Sequence, residues 1–350
     1  MIPASEARRV RVAVIGGGRS DEHEVSLASA ASVGAALDPT AYDVLSLTIG
    51  RDGVWRDSAG HPLAGTPAAS LSAALTLLAG CDVVFPAMHG PQGEDGTLAA
   101  LLDLADLPYV GAGVRGGALA MDKWATKLVA EAVGIAVAPG FLVTAGNADQ
   151  VRFHGPVVVK PVAAGSSHGV ALVTEAAELA PAIAAALRID DRVLVEDLVS
   201  GREVDLAVLQ RADGRLTVGP PLEILLDDGR LFDTEQKYDG GARFRIPAAL
   251  SAGELDRLTE ASLDLFTALG CRGVARCDFF LTPDGPVLNE VNTMPGMTAR
   301  SQVPKMFTHQ GLSYPALLDE LVRGALAAPE ASSPAQGRGP RAAATAQVRP

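Results

Sequence analysis

The chain has 350 residues, 48% of them hydrophobic, and a formal net charge of -12. That length supports a full core and two or three domains. The acidic balance argues against nucleic acid as the main partner, while leaving room for a local basic pocket for phosphate.

The arginines near the N-terminus precede a short apolar strand core rather than a signal-peptide run, and no segment approaches the length of a transmembrane helix. Cys81, Cys271 and Cys277 follow no metal spacing. A sparse, odd count suits small core residues in a reducing cytoplasm. The expectation is a soluble cytoplasmic protein with no membrane partner.

Residues 10–15 are almost wholly apolar, as a buried parallel strand requires. GGGRSDEHEVS follows, then a helical run over 27–37. Strand, glycine loop and helix open a doubly wound unit. A strand over 42–49, a helix over 68–78 and a strand over 83–87 lead into MHGPQGEDGT. A helix over 98–105 and a short strand over 108–110 precede a glycine-rich link at 111–117. We read residues 1–9 as an extension and 10–117 as an α/β domain.

Residues 118–212 read as an α+β domain: a helix over 118–133, hairpin-like segments at 141–144, 157–161, 169–173, 193–196 and 203–209, and a helix over 176–186. Residues 213–327 read as a third unit. It holds several strands, a loop at 233–241, a helix over 253–269, paired strands over 274–281 and 287–292, and a closing helix over 314–326. Residues 328–350 are Pro-, Ala- and Ser-rich without periodicity, the composition of a disordered tail. There is no internal repeat.

The first glycine loop, GGGRSD, is not a G-x-G-x-x-G fingerprint, because Asp21 stands where the third glycine belongs. Asp21, Glu22 and Glu24 crowd this turn. A helix N-terminus favours acids, which accounts for most of the crowding and leaves one carboxylate to hold a cationic substrate group. The second loop is more specific. The strand VVVK ends in Lys160 and is followed by PVAAGSSHG. Small residues, two hydroxyls and two glycines can fold N–H groups over phosphate oxygens, although no GK[ST] opens a helix. The competing reading is an ordinary hairpin turn.

The segment from Ala275 to Asn292 reads as a hairpin about Pro-Asp-Gly, with a three-residue loop at 283–285. Asp278 then faces Glu290, with Asn292 and Arg276 on the same side. Facing carboxylates repel, and a hard cation held by Asp278, Glu290 and Asn292 relieves that. Oxygen ligands of this kind suit Mg²⁺, which also binds substrate phosphates. A two-residue loop would instead set Asp278 against Val291. Phosphate loop, lysines, Mg²⁺ ligands and an arginine together point to ATP chemistry that activates a carboxylate by phosphoryl transfer. No Ser–His–Asp or zinc spacing competes.

Together GGRSDEHEVSL, MHGPQGEDGT, AMDKWATK, VVKPVAAGSSHG, FDTEQKY, GVARCDFF and NEVNTMPGMT resemble the D-alanine–D-alanine ligase family of the ATP-grasp superfamily, over roughly residues 10–325. The resemblance implies an α/β ATP-grasp fold: an N-terminal doubly wound parallel-sheet domain and two α+β domains sandwiching ATP. It implies that Glu22 holds the ammonium of the first D-alanine, with Ser26 and His89 also at the substrate. Lys123, Lys160, Ser166, Ser167 and Lys237 contact ATP phosphates. Glu196, Leu198, Glu203 and Asn289 complete the nucleotide site. Asp278, Glu290 and Asn292 bind two Mg²⁺ ions, for which Mn²⁺ can substitute. Arg276 and the Gly296 N–H stabilise the oxyanion, and Ser301 binds the second D-alanine's carboxylate.

The implied product is D-alanyl-D-alanine for peptidoglycan, made through an acyl phosphate. Tyr238, paired with Ser166 and Glu22 in the family, favours amide over ester formation. Thr234 stands where the family usually has an aromatic residue. D-lactate, D-serine or another D-amino acid is the alternative second substrate, and a nucleotide sensor without catalysis is the rival of another class. The family also implies a homodimer through the first domain. His61, His154, His168 and His309 read as bystanders, and Trp55 and Trp124 as packing residues.

Overall fold

The computed structural model describes residues 8–225 and 243–327. The first sheet has the order β3-β2-β1-β4. Strands β1 (Val10–Gly17), β2 (Tyr42–Ile49) and β4 (Val83–Pro86) run parallel, and β3 (Trp55–Arg56) is an antiparallel edge. Helices α1 (His23–Ala36), α2 (Pro67–Leu78) and α3 (Thr97–Leu104) belong to this unit.

The apolar run of β1 has a direct cause. Val12 and Val14 enter one core while Ala13 and Ile15 enter the core on the opposite face, as in a parallel strand covered on both sides. The strand expected over 108–110 is only a single bridge, Val84 to Tyr109.

The single helix expected over 118–133 is two, α4 (Val114–Met121) and α5 (Lys123–Ala132). The break is Asp122, whose backbone is extended at φ -82° and ψ 100°. Its carboxylate accepts from the Ala125 N–H at 2.8 Å and from Arg192 at 2.7 Å. An aspartate N-cap that satisfies an orphan N–H starts a new helix here, and Lys123 becomes its first residue.

After β5 (Ala136–Val137) comes an antiparallel sheet of order β6-β9-β7-β8. Its strands are β6 (Gly140–Thr144), β7 (Val157–Pro161), β8 (Ala171–Val173) and β9 (Arg192–Asp197). Val157, Val159, Val193 and Val195 pack into the core beneath α6 (Ala176–Ala186). The alternate residues, including Lys160 and Glu196, face the other way.

The largest sheet has the order β13-β12-β10-β14-β15-β5, with β11 paired to β10. It comprises β10 (Arg202–Gln210), β11 (Leu216–Val218), β12 (Leu222–Leu225), β13 (Arg243–Arg245), β14 (Val274–Thr282) and β15 (Gly285–Asn292). Strand β10, grouped by sequence with the preceding segments, is hydrogen-bonded to β14 instead.

Helix α7 (Ala252–Leu269) covers one face of this sheet through Leu258, Leu265 and Leu269. Helices α8 (Gln302–His309) and α9 (Tyr314–Ala327) follow. Leu317 and Leu321 of α9 share a core with Val12 and Phe85 of the first sheet and Ala207 and Leu222 of the last. Among the described residues, no helix is long and apolar enough to cross a membrane.

The β14/β15 hairpin corrects the sequence reading in one respect. Thr282 pairs with Gly285, so the loop is Pro283–Asp284, two residues rather than three. Simple counting from this loop at 283–284 would then set Asp278 opposite Asn289, whereas a two-residue loop at 284–285 is the one that sets it against Val291. A bulge between Asp278 and Phe279 shifts the register by one, and Asp278 does face Glu290. The bulge also breaks strand alternation. Leu288 and Val291 both reach the same apolar core, and the consecutive pair Asn289 and Glu290 stays on the polar side.

Candidate active site

The β7/β9 face carries a buried charge cluster. Lys160 Nζ meets Glu196 Oε1 and also donates to Asn289 Oδ1 at 3.2 Å. Lys127, from α5, meets Glu196 Oε2 at 2.9 Å. All three charged side chains are buried. Burial alone would raise the Glu196 carboxyl, but the two lysine charges outweigh it and hold the group below the usual carboxylate range. Burial, and then the charge of Lys160, lower the Lys127 ammonium.

On the facing sheet, Arg276 Nε and Nη2 donate to both Asp278 oxygens at 2.6 Å each. Asn292 Nδ2 donates to Asp278 Oδ2 at 3.0 Å. Lys123 Nζ lies 3.2 Å from Glu290 Oε2 and donates to Ala164 O at 2.6 Å. Asp205, opposite Asp278 on β10, accepts from Gln302, which in turn accepts from Arg276. Burial disfavours the Arg276 charge, yet Asp278 first and then Asp205 and Glu290 raise its affinity for the proton above the normal guanidinium level.

The third cluster joins the loop after β1 to the loop after β7. Ser166 Oγ donates a short hydrogen bond to Glu22 Oε1. Glu22 Oε2 is buried with no hydrogen-bond partner among the described residues. Two glycines permit this approach. A Cβ on Gly165 would come within 2.3 Å of Glu22 Oε2, and one on Gly90 within 2.5 Å. Ser166 and Ser167 have φ of 50° and 58°, a left-handed conformation uncommon for non-glycine residues and typical of functional loops.

Behind Glu22 lie His89, buried, and Glu94, half-buried. Burial lowers the His89 pKa. Burial, and next the Glu22 charge, push Glu94 up to about 8. Glu22, Glu94, Lys123, Gly165, Glu290 and Asn292 line one small pocket.

Four more expected residues have these positions in the fold. Ser26 is fully buried; its hydroxyl donates to Glu22 O and accepts from the His89 N–H, both at 3.0 Å. Ser301 precedes α8, and its hydroxyl lies 3.1 Å from the Thr298 N–H. Leu198 is exposed on the loop after β9, and Glu203 lies on β10 two residues before Asp205.

Lys237, Tyr238, Thr234 and the rest of the 233–241 loop lie outside the described residues, as does the tail at 328–350. Three histidines read as bystanders have partners: His61 Nδ1 lies 3.5 Å from Asp57, His154 Nε2 lies 2.9 Å from Asp197, and His168 Nε2 lies 3.4 Å from Asp21. Trp55 is a core residue, as expected.

Sequence reasoning missed Lys127, Glu94, Asp205 and Gln302. Lys127 was within reach, since it stands four residues after Lys123 on one helix and residues so spaced share a face.

The profile described as D-ala D-ala ligase N-terminus matches residues 11–112, and that described as D-ala D-ala ligase C-terminus matches residues 130–323. A D-alanine–D-alanine ligase from Mycobacterium sp. (strain KMS) is 41% identical, over 91% of this chain and 97% of its own length. The structure of the VanG D-Ala:D-Ser ligase from Enterococcus faecalis superposes with a TM-score of 0.77 at 34% identity, covering 91% of this chain and all (100%) of the other. The D-alanine–D-alanine ligase from Bacillus anthracis, solved in complex with ATP, gives 0.73 at 26% identity, covering 91% and 97%. The mixed α/β architecture is the ATP-grasp fold shared with these enzymes. The chain belongs to the D-alanine–D-alanine ligase family.

Proposed function

We propose that the protein joins two D-alanines into D-alanyl-D-alanine for peptidoglycan, using ATP and passing through an acyl phosphate. The observation that carries this reading is the single space in which the unpartnered Glu22 oxygen, Lys123 and the Glu290–Asn292 pair meet. A buried carboxylate oxygen without a donor is a receptor for an ammonium group. Lysines and opposed carboxylates a few ångströms away suit phosphoryl transfer to the other end of the same small molecule.

In this reading Glu22, steadied by Ser166, holds the first D-alanine by its ammonium, and His89 lies behind it. Lys123, Lys160 and the Ser166–Ser167 loop bind the phosphates of ATP, with Lys237 added from the 233–241 loop. Glu196, Leu198, Glu203 and Asn289 complete the nucleotide site, and Lys127 holds Glu196 in place.

Asp278, Glu290 and Asn292 offer only oxygen donors on one face, and their charge is now offset by Arg276 and Lys123. Among the described residues no cluster of three His, Cys, Asp or Glu side chains encloses an ion. Such an open set fits Mg²⁺ ions that keep water and phosphate ligands. When bound, they would neutralise charge on the transferring phosphoryl group.

A carboxylate oxygen of the first D-alanine attacks the γ-phosphorus, and ADP leaves. The amine of the second, held at Ser301 by its carboxylate, then attacks the acyl carbon and phosphate leaves with the carboxylate oxygen. Arg276 and the Gly296 N–H balance the charge on the carbonyl oxygen meanwhile. Tyr238 favours an amine as the second nucleophile.

The three free cysteines suit a cytoplasmic enzyme. A homodimer through the first domain is the expected assembly, to be checked by sedimentation. A panel of D-amino and D-hydroxy acids, scored by phosphate release and product mass, tests the function. D-alanyl-D-alanine as the main product supports it; its absence from the products refutes it.

A further inference from the structure

Residues 293–298 connect β15 to the turn before α8 and carry Gly296. Their backbone is fastened from the first domain. Glu94 Oε1 accepts from the Met294 N–H at 3.0 Å, and its other oxygen accepts from the Gly90 N–H at 2.8 Å. His89 Nδ1 lies 2.8 Å from Met294 O. A carbonyl only accepts, so Nδ1 carries the proton and Nε2 becomes the acceptor. The Ser29 hydroxyl then donates to His89 Nε2 at 2.8 Å, and its oxygen accepts from the Met297 N–H at 3.3 Å. Both polar groups of Met294 and the amide of Met297 are therefore held, one on each side of Pro295–Gly296. Proline fixes its own φ, which leaves little freedom in the orientation of the Gly296 N–H.

We infer that Glu94 is a positioning residue for the ligation reaction. It spans two peptide N–H groups from two domains and thereby keeps the Gly296 N–H aimed at the reacting carbonyl oxygen, in register with the loop that flanks Glu22. The inference rests on the proposed role of Gly296. A carboxyl group suits this post because each oxygen keeps a lone pair for one N–H donor, with or without a bound proton. Glutamine has a single acceptor oxygen and would turn its NH₂ toward an N–H, and aspartate is one methylene too short to reach both.

The test compares the full-length protein with Glu94→Gln, Glu94→Asp and Ser29→Ala, measuring phosphate release against both ATP and D-alanine. Removing one oxyanion donor lowers kcat by about 100- to 1,000-fold. A misaimed donor should lose part of that, at least about tenfold in kcat for Glu94→Gln and Glu94→Asp. The KM for ATP should stay within about twofold, because neither residue touches the lysine–glutamate cluster. Ser29→Ala loosens the same segment at Met297 and should lower kcat less. Combined with Glu94→Gln it should be less than additive, since both act on one short segment.

A general loss of stability would move ATP binding as well, so the kcat-only pattern separates positioning from folding. If the Glu94 variants do not fold, Ser29→Ala carries the same test. A kcat within about twofold of wild type in the folded variants, or a matching rise in the KM for ATP, overturns the inference. It does so while leaving the ligase reading intact. A wild-type protein that makes no dipeptide overturns that reading and this inference together.

Discussion

The two charged faces that meet across the cleft come from strand pairs with different geometry. On β7 and β9 the alternation is regular: every second residue is valine in the core, and Lys160 and Glu196 occupy the other face. On β14 and β15 it is interrupted, and the bulge lets Asn289 and Glu290 face the site in succession. Regular pairing suffices where one acid must meet one base. The hairpin must instead supply a partner for Lys160 and a carboxylate opposite Asp278 from neighbouring positions, which an unbroken strand cannot do.

The energetics differ accordingly. Glu196 sits between two buried lysines and is held by the fold itself. Glu290 faces another carboxylate and pairs with Lys123, a lysine it would share with phosphate.

The largest expected effect tests the first face. Glu196→Gln leaves Lys127 and Lys160 buried side by side and should cost about 3–5 kcal/mol of stability, read by urea unfolding. Lys127→Met keeps the Lys160–Glu196 pair and should cost less, about 1–3 kcal/mol, with a rise in the KM for ATP. Equal costs would mean that the cluster does not act as one unit.

Glu290→Gln tests the second face. It removes a repulsive charge but also the 3.2 Å Lys123 ion pair, so stability should change far less than for Glu196→Gln, while phosphate release falls by about 100- to 1,000-fold. A large loss of stability would show that the hairpin carboxylate is structural.

A pH comparison is expected to give a smaller effect. Glu94 rises from an ordinary 4.5 to about 8. Between those values the folded state binds a proton that the unfolded chain has released. That contribution is full below pH 4.5 and fades as pH rises through 8. The stability advantage of wild type over Glu94→Gln should therefore shrink steadily as pH rises from 5 to 9. Thermal melts across that range check it. Glu22, His89 and Arg276 face the same group and remain in both proteins.

The smallest effect belongs to Asp122→Ala, which removes the cap dividing α4 from α5. It should cost about 1 kcal/mol, also read by unfolding.

Much of this was legible in the sequence, for definable reasons. The run at 10–15 and the loop with Lys160 announce themselves by composition, because a strand buried on both faces has no room for polar residues. Asp278, Glu290 and Asn292 were found through hairpin counting, but with a compensating pair of features. The loop is one residue shorter than expected, and a bulge restores the register. A bulge leaves no composition mark that distinguishes it from a longer loop.

The break at Asp122 was hidden because helical residues continue on both sides of it. Glu94 and Asp205 were invisible as site residues because their roles depend on contacts with Met294 and Gln302, roughly 200 and 97 positions away. D-alanine itself came from family resemblance, since nothing in residue spacing distinguishes one small amino acid from another.

The most direct test of the central claim, that a carboxylate is activated by phosphoryl transfer in this cleft, uses D-alanine labelled with ¹⁸O in its carboxylate. Attack on the γ-phosphorus followed by displacement at carbon carries one labelled oxygen into each phosphate released with the dipeptide. Phosphate bearing that label, in step with dipeptide formation, is the result the account requires. Dipeptide accompanied by unlabelled phosphate would contradict it.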